Sequence, residues 1–185
     1  ILSFASGHRA VSDPCFDLNC FDLTTNTLLI EEKVVSSSHA TRLAWLPPLA
    51  ISQLELYLSH LRSLSRLVRA ANPVLANQIW AVTEADSPHP IPLFFFLQDR
   101  DGDLGWMRIQ PSILKSRMSD KWELPLNTNR HLLSTWLHKS GCPTEFIDAQ
   151  LGHVEAGCYP FSGRSVLNPD EIGKTVIPLL QSYLI

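Results

Sequence analysis

The sequence predicts an α+β fold: a mainly helical domain with a small three-stranded antiparallel sheet near its start. Three observations predict it. Short apolar runs separated by turn clusters occupy residues 17–46. Apolar residues then recur at spacings of three and four over 49–71. From Pro111 onward, helix-starting prolines and helix-stopping glycines punctuate apolar-periodic segments. The 185 residues, 45% hydrophobic and 18% charged, suffice for one domain over 1–185 with a substantial core, and the composition is not that of a disordered chain.

Taken in order, Cys20-Phe-Asp-Leu23 leads into the turn-rich Thr24-Thr-Asn-Thr27, and Leu28-Leu-Ile30 resumes the apolar pattern. Glu31-Glu-Lys33 and Ser36-Ser-Ser38 separate that run from Arg42-Leu-Ala-Trp-Leu46, and Pro47-Pro48 ends the meander. Leu54, Leu58, Leu61, Leu64 and Val68 then form one helical stripe, closed by Asn72-Pro73. Arg62, Arg66 and Arg69 share a different face of that helix. A phosphate-facing role and a merely solvated surface are both open for them, the second being the commoner arrangement.

Pro88, Pro90 and Pro92 mark a loop, and strands are expected at 93–97 and 106–109. Between these, Asp99, Asp101 and Asp103 have the spacing that begins a calcium loop. Leu104 stands where that loop needs Gly and Gln110 where it needs Glu, so the segment reads as a hairpin tip. Helices follow at 111–118, at 129–139 with Gly141 as C-terminal cap, from Pro143 or Thr144 to a stop at Gly152, and at 169–184.

Fifteen Lys and Arg stand against eighteen Asp and Glu, a formal charge of −3, so no global basic excess argues for nucleic-acid binding. No apolar run is long enough to cross a bilayer, and no secretory leader pattern is present, which excludes a membrane partner from the expectation. Cys15, Cys20, Cys142 and Cys158 are irregularly spaced and read as reduced, buried thiols, consistent with a cytoplasmic setting. The sequence opens on Ile1 in mid-pattern, so a fragment of a longer chain is expected.

Gly-rich phosphate loops of the Walker and Rossmann types, GxSxG and HExxH are all absent. What stands out is Asn127-Thr-Asn-Arg130-His131-Leu-Leu-Ser-Thr135-Trp-Leu137, followed by Gly141, Ile147 and Leu151-Gly152-His153. Gly141 lies eleven residues after Arg130 and His153 twenty-three after it. This joint spacing resembles the second catalytic box of the tyrosine recombinases, the phage-integrase family. Upstream, Ser6-Gly7-His8-Arg9-Ala10-Val11 resembles the family's first box. Glu31-Glu-Lys33 falls at the hairpin that carries its lysine, and Thr41-Arg-Leu-Ala-Trp-Leu-Pro47 at the strand that follows.

The resemblance implies a catalytic domain that cleaves double-stranded DNA through a 3′-phosphotyrosyl intermediate and rejoins it, as in DNA integration by mobile elements. It implies no metal and no cofactor, so cationic side chains must stabilise charge on the phosphate. Arg9 and Arg130 would clamp the non-bridging oxygens, Lys33 would protonate the leaving 5′-oxygen, and His153 would bond the phosphate or assist proton transfer. It also implies self-association on DNA, a nucleoid-associated cytoplasmic location and a DNA-clamping domain ahead of Ile1. A monomer is the open alternative for the isolated fragment.

Two positions depart from the family. Asn127 stands where a His is usual; it can donate a hydrogen bond to phosphate but cannot act as acid or base. Nine residues after His153, where the family carries its nucleophile, the chain has Ser162. Tyr159, six residues after His153, is the nearest replacement; Tyr183 is thirty residues away and Tyr57 reads as packing. Three readings therefore stand: a strand transferase using Tyr159, a recombinase-like DNA-binding protein without a nucleophile of its own, and a protein-interaction module that shares only the fold. Taken residue by residue, Arg9 reads as a surface side chain near a helix start, His131 as an internal packing residue and His138 as an exposed one.

Overall fold

The computed structural model describes residues 1–9, 17–31, 41–117, 125, 127–153, 165 and 167–185. Among the described residues the architecture is α+β, with seven α-helices, a three-stranded antiparallel sheet and a two-stranded hairpin. Contacts divide the chain into two compact units. The first comprises Ile1–Arg9, Phe21–Gln53 and Pro125–Ile185, the second Ala10–Cys20 and Leu54–Leu124.

In the first unit, α1 (Leu2–Ser6) precedes β1 (Phe21–Asp22), β2 (Thr27–Glu31) and β3 (Thr41–Trp45), which pair in the order β1-β2-β3. The expected meander is therefore present. Asn26, at φ 54, closes the first turn, and the Asp22 carboxylate accepts from the backbone N–H of Thr24 at 2.8 Å. The Thr25 side chain, first, and the backbone N–H groups of Thr24 and Thr25 hold the Asp22 carboxyl below its ordinary range. β2 and β3 register Leu29 on Leu43 and Glu31 on Thr41. Lys33 belongs to 32–40, outside the described residues.

Three helices complete this unit: α5 (Thr128–Lys139), α6 (Thr144–Leu151) and α7 (Pro169–Leu184). They pack around Trp45, with Leu133, Leu137, Ile147, Ile172 and Val176 buried in the same core. Gly173 permits the approach of α7, because a Cβ there would meet the Trp45 Nε1 at 2.9 Å. Gly141 and Gly152, at φ 75 and φ 68, end α5 and α6 in the left-handed conformation, as their positions in the sequence predict. Cys142 is a buried thiol, and Cys20 lies 3.8 Å from the Asp17 carboxylate. Cys15 and Cys158 lie outside the described residues.

The second unit takes most of α2 (Pro48–Val68), then α3 (Pro73–Ala81), β4 (Phe95–Arg100), β5 (Asp103–Arg108) and α4 (Pro111–Arg117). Leu54, Leu58, Leu61 and Val68 of the α2 stripe are buried. Asn72-Pro73 does more than end α2. Asn72 caps a new helix by accepting the N–H of Leu75 at 2.9 Å, and Pro73 occupies its first turn, where a missing N–H costs nothing. Asp101 and Gly102, at φ 54 and φ 87, form the two-residue turn between β4 and β5, so the tip is a hairpin as expected. Tyr57 is packing: its ring stacks on Phe94 with centroids 5.1 Å apart, its hydroxyl donates to the Leu93 carbonyl, and burial pushes its pKa up to about 12.

Candidate anion site at the ends of α1, α5 and α6

Arg130 lies in the first turn of α5, three and seven residues before the buried Leu133 and Leu137, so helical spacing turns it inward. It is only 6% exposed. Its Nη1 donates to the Gly7 carbonyl at 2.7 Å, and its Nη2 donates to the Leu151 carbonyl at 2.7 Å and to Nε2 of His153 at 2.9 Å. A guanidinium only donates, so Nε2 must carry the lone pair and the ring proton sits on Nδ1. That nitrogen faces the Asp148 Oδ1 at 3.7 Å.

Partial burial, first, and the positive charge of Arg130, second, hold the His153 pKa below its ordinary value of 6.5. Asp148 opposes the shift, while Arg9 and Arg42 add to it. Three arginines from distant parts of the sequence thus act on one imidazole. The structure joins Arg130 and His153 by a hydrogen bond, and the Arg9 charge acts on the same ring.

Arg9 lies three residues beyond the end of a helix, and residues 10–16, on which a helix starting at Arg9 would depend, lie outside the described residues. α1 ends at Ser6 and is capped by Gly7 at φ 57, two residues before Arg9. A Cβ on Gly7 would meet Leu151 Cδ2 at 2.8 Å and Leu133 Cδ2 at 3.0 Å, so both the backbone conformation and the packing require glycine there. Asn127, at φ 63, is the N-cap residue of α5 one turn before Arg130, and its amide makes no capping bond. His131 is exposed, contrary to its reading as an internal residue, because the inward face of α5 belongs to Arg130, Leu133 and Leu137. Lys33, Tyr159 and Ser162 lie outside the described residues.

The motifs missed three supporting residues. Arg42 is 5% exposed and donates to the Gln150 and Ser6 carbonyls, the latter at 3.0 Å. Gln150 is fully buried; its Nε2 donates to the Ala5 and Trp45 carbonyls at 3.0 Å each, and its Oε1 accepts from the Trp45 N–H at 2.9 Å. Asn129 Nδ2 donates to the Ser3 carbonyl at 2.9 Å and the His8 carbonyl at 2.7 Å. Together with Arg130, these side chains occupy the carbonyls of Ser3, Ala5, Ser6, Gly7 and His8, the C-terminal end of α1 and the residues just beyond it. Cations and amide donors suit the negative end of a helix. The alternation of β3 held the signal for Arg42, since it shares a face with the buried Ala44.

Gly152 gives the Leu-Gly-His word its physical sense. Its φ of 68 lets Leu151 offer its carbonyl to Arg130 while His153 turns back to the same guanidinium, and a Cβ there would collide with Arg42 Cδ. The bonds described for Arg42 and Arg130 end on backbone carbonyls and the His153 imidazole.

Tyr183 is half-buried in α7, its ring tilted against Trp136 with centroids 5.9 Å apart, and burial raises its pKa. That is a packing environment. Among the described residues, no group of three His, Cys, Asp or Glu side chains could hold a metal ion, and no helix is long and apolar enough to cross a membrane. No family model matches the chain, and no match to it is found among curated proteins or solved structures.

Proposed function

We propose that the Arg9–Arg130–His153 cluster binds a backbone phosphate of double-stranded DNA, and that the chain is a tyrosine-recombinase-type catalytic domain. One observation supports the reading: Arg130, opening α5, is hydrogen-bonded to His153, which follows α6, and the charge of Arg9, beyond α1, acts on the same imidazole.

In this reading the hydroxyl of Tyr159 attacks phosphorus, the P–O bond to the 5′-oxygen breaks, and a 3′-phosphotyrosyl link forms. Arg9 and Arg130 stabilise the charge gathering on the non-bridging oxygens. His153, neutral at pH 7 with one donor and one acceptor nitrogen, bonds the phosphate or takes up the tyrosine proton, and Lys33 supplies a proton to the leaving oxygen. The reverse sequence rejoins the strand without an external energy source.

The second reading, a DNA-gripping protein that does not cut, is favoured by Ser162 at the usual nucleophile position and by Asn127 in place of a histidine. Incubation with nicked suicide duplexes separates the two. A covalent protein–DNA adduct that Tyr159→Phe abolishes is the expected result. An adduct that survives Tyr159→Phe moves the nucleophile elsewhere, and salt-sensitive duplex binding without any adduct selects the second reading.

A further inference from the structure

The arginine face of α2 is not used by the cluster above. In the second unit, Arg66, in the last turn of α2, and Arg69, just beyond it, join Asn77 and Trp80 of α3 to line an open concavity of about 660 Å³. All four residues are exposed, Trp80 to 38% despite its size. Arg62, the third arginine of this face, is engaged: it donates to the Thr83 carbonyl at 3.3 Å and lies 3.7 Å from the Glu84 carboxylate. Arg66 and Arg69 make no ion pair among the described residues. No carboxylate occurs in the sequence from 56 to 83.

A cation at the end of α2 is explained in part by the helix dipole, which one charge there would complement. The dipole does not account for a second guanidinium or for an indole left in water beside both. Asn77 and Trp80 are three apart on α3, so they share a face, and the Asn72 cap together with the buried Leu75, Ala76 and Ile79 holds that face rigid. Guanidinium pairs recognise phosphate, an exposed indole stacks on an unpaired base, and an amide reads a base edge.

We propose that this groove binds single-stranded nucleic acid, with the phosphodiester backbone on Arg66 and Arg69 and a base on Trp80. A duplex offers no free base face to the indole, and an acidic peptide would satisfy the arginines but leave the indole without a stacking partner. The proposal rests on the second unit alone and needs nothing from the reading of the Arg130 cluster.

The test is fluorescence anisotropy of labelled oligo(dT) titrated with the whole chain, with circular dichroism confirming that each variant folds. Trp80→Ala weakens binding by roughly five- to a hundredfold, and Trp80→Phe keeps most of the affinity. The double variant Arg66→Gln/Arg69→Gln, made at exposed side chains, reduces the slope of log affinity against log salt by about 1.4. The proposal is overturned if oligo(dT) does not bind, if folded variants bind it as the parent does, or if a duplex of equal length or polyglutamate displaces it at equal concentration. Because adduct formation is read on Tyr159 and this binding on Trp80, either proposal can fail without the other.

Discussion

Arg130 donates to Nε2 of His153 at 2.9 Å, and this bond sets the tautomer of the imidazole. Burial and the neighbouring guanidinium hold the His153 pKa below 6.5. The folded protein therefore binds this proton less readily than the unfolded chain does. The contribution to stability is present above pH 6.5 and is lost as pH falls through the lower folded value. NMR titration of the ring is expected to give a midpoint below 6.5 and an Nδ1–H signal in the neutral form. Asp148→Asn removes the carboxylate that opposes the shift, so the midpoint should fall further; an unchanged midpoint would show that Asp148 does not act on the ring.

Gln150 is the buried polar hub between α1, β3 and α6. Gln150→Leu keeps nearly the same volume but strands the Ala5 and Trp45 carbonyls and the Trp45 N–H. Each orphaned buried group costs about 1–3 kcal/mol, so a loss of roughly 3 kcal/mol or more is expected in urea denaturation. A change below about 1 kcal/mol would mean that water replaces these bonds.

Gly152 should tolerate no side chain. Gly152→Ala combines a left-handed backbone with a collision against Arg42, and a destabilisation of about 1–3 kcal/mol follows. The same variant displaces His153, so its ring midpoint should move toward 6.5. Unchanged stability and an unchanged midpoint would contradict the packing described for the end of α6.

Arg130 is not a clean probe of DNA contact, because truncating it also frees the Gly7 and Leu151 carbonyls and loosens α1. Arg9, half-buried beyond the end of α1, serves better. Arg9→Gln is expected to weaken duplex binding and lower the salt slope by about 0.9, the value for one phosphate contact on a duplex. An unchanged slope would take Arg9 out of the phosphate contact.

The fold was legible wherever a local signal decides the outcome. Asp101-Gly102 specifies its hairpin, Gly141 and Gly152 stop their helices, and the leucine stripe of α2 faces inward. The first helix was not legible because five residues cannot form a helix by propensity. It is held by Asn129 and Gln150, more than a hundred residues away in sequence. Of the site, the pairing of Arg130 with His153 was legible through their spacing. The burial of Arg42 was readable from the alternation of β3, but its partners and the whole role of Gln150 were not, since both saturate carbonyls of a helix that the sequence does not announce. Asn72-Pro73 reads equally as an end and a beginning, and the Asn72 cap on Leu75 makes it both.

The most direct measurement is the His153 ring titration repeated with duplex DNA bound. A phosphate held by Arg9 and Arg130 places negative charge beside the imidazole and favours its protonated form. The midpoint should therefore rise on adding duplex and return to its starting value in high salt. A duplex that binds while the His153 midpoint stays where it was would contradict a phosphate site at this cluster.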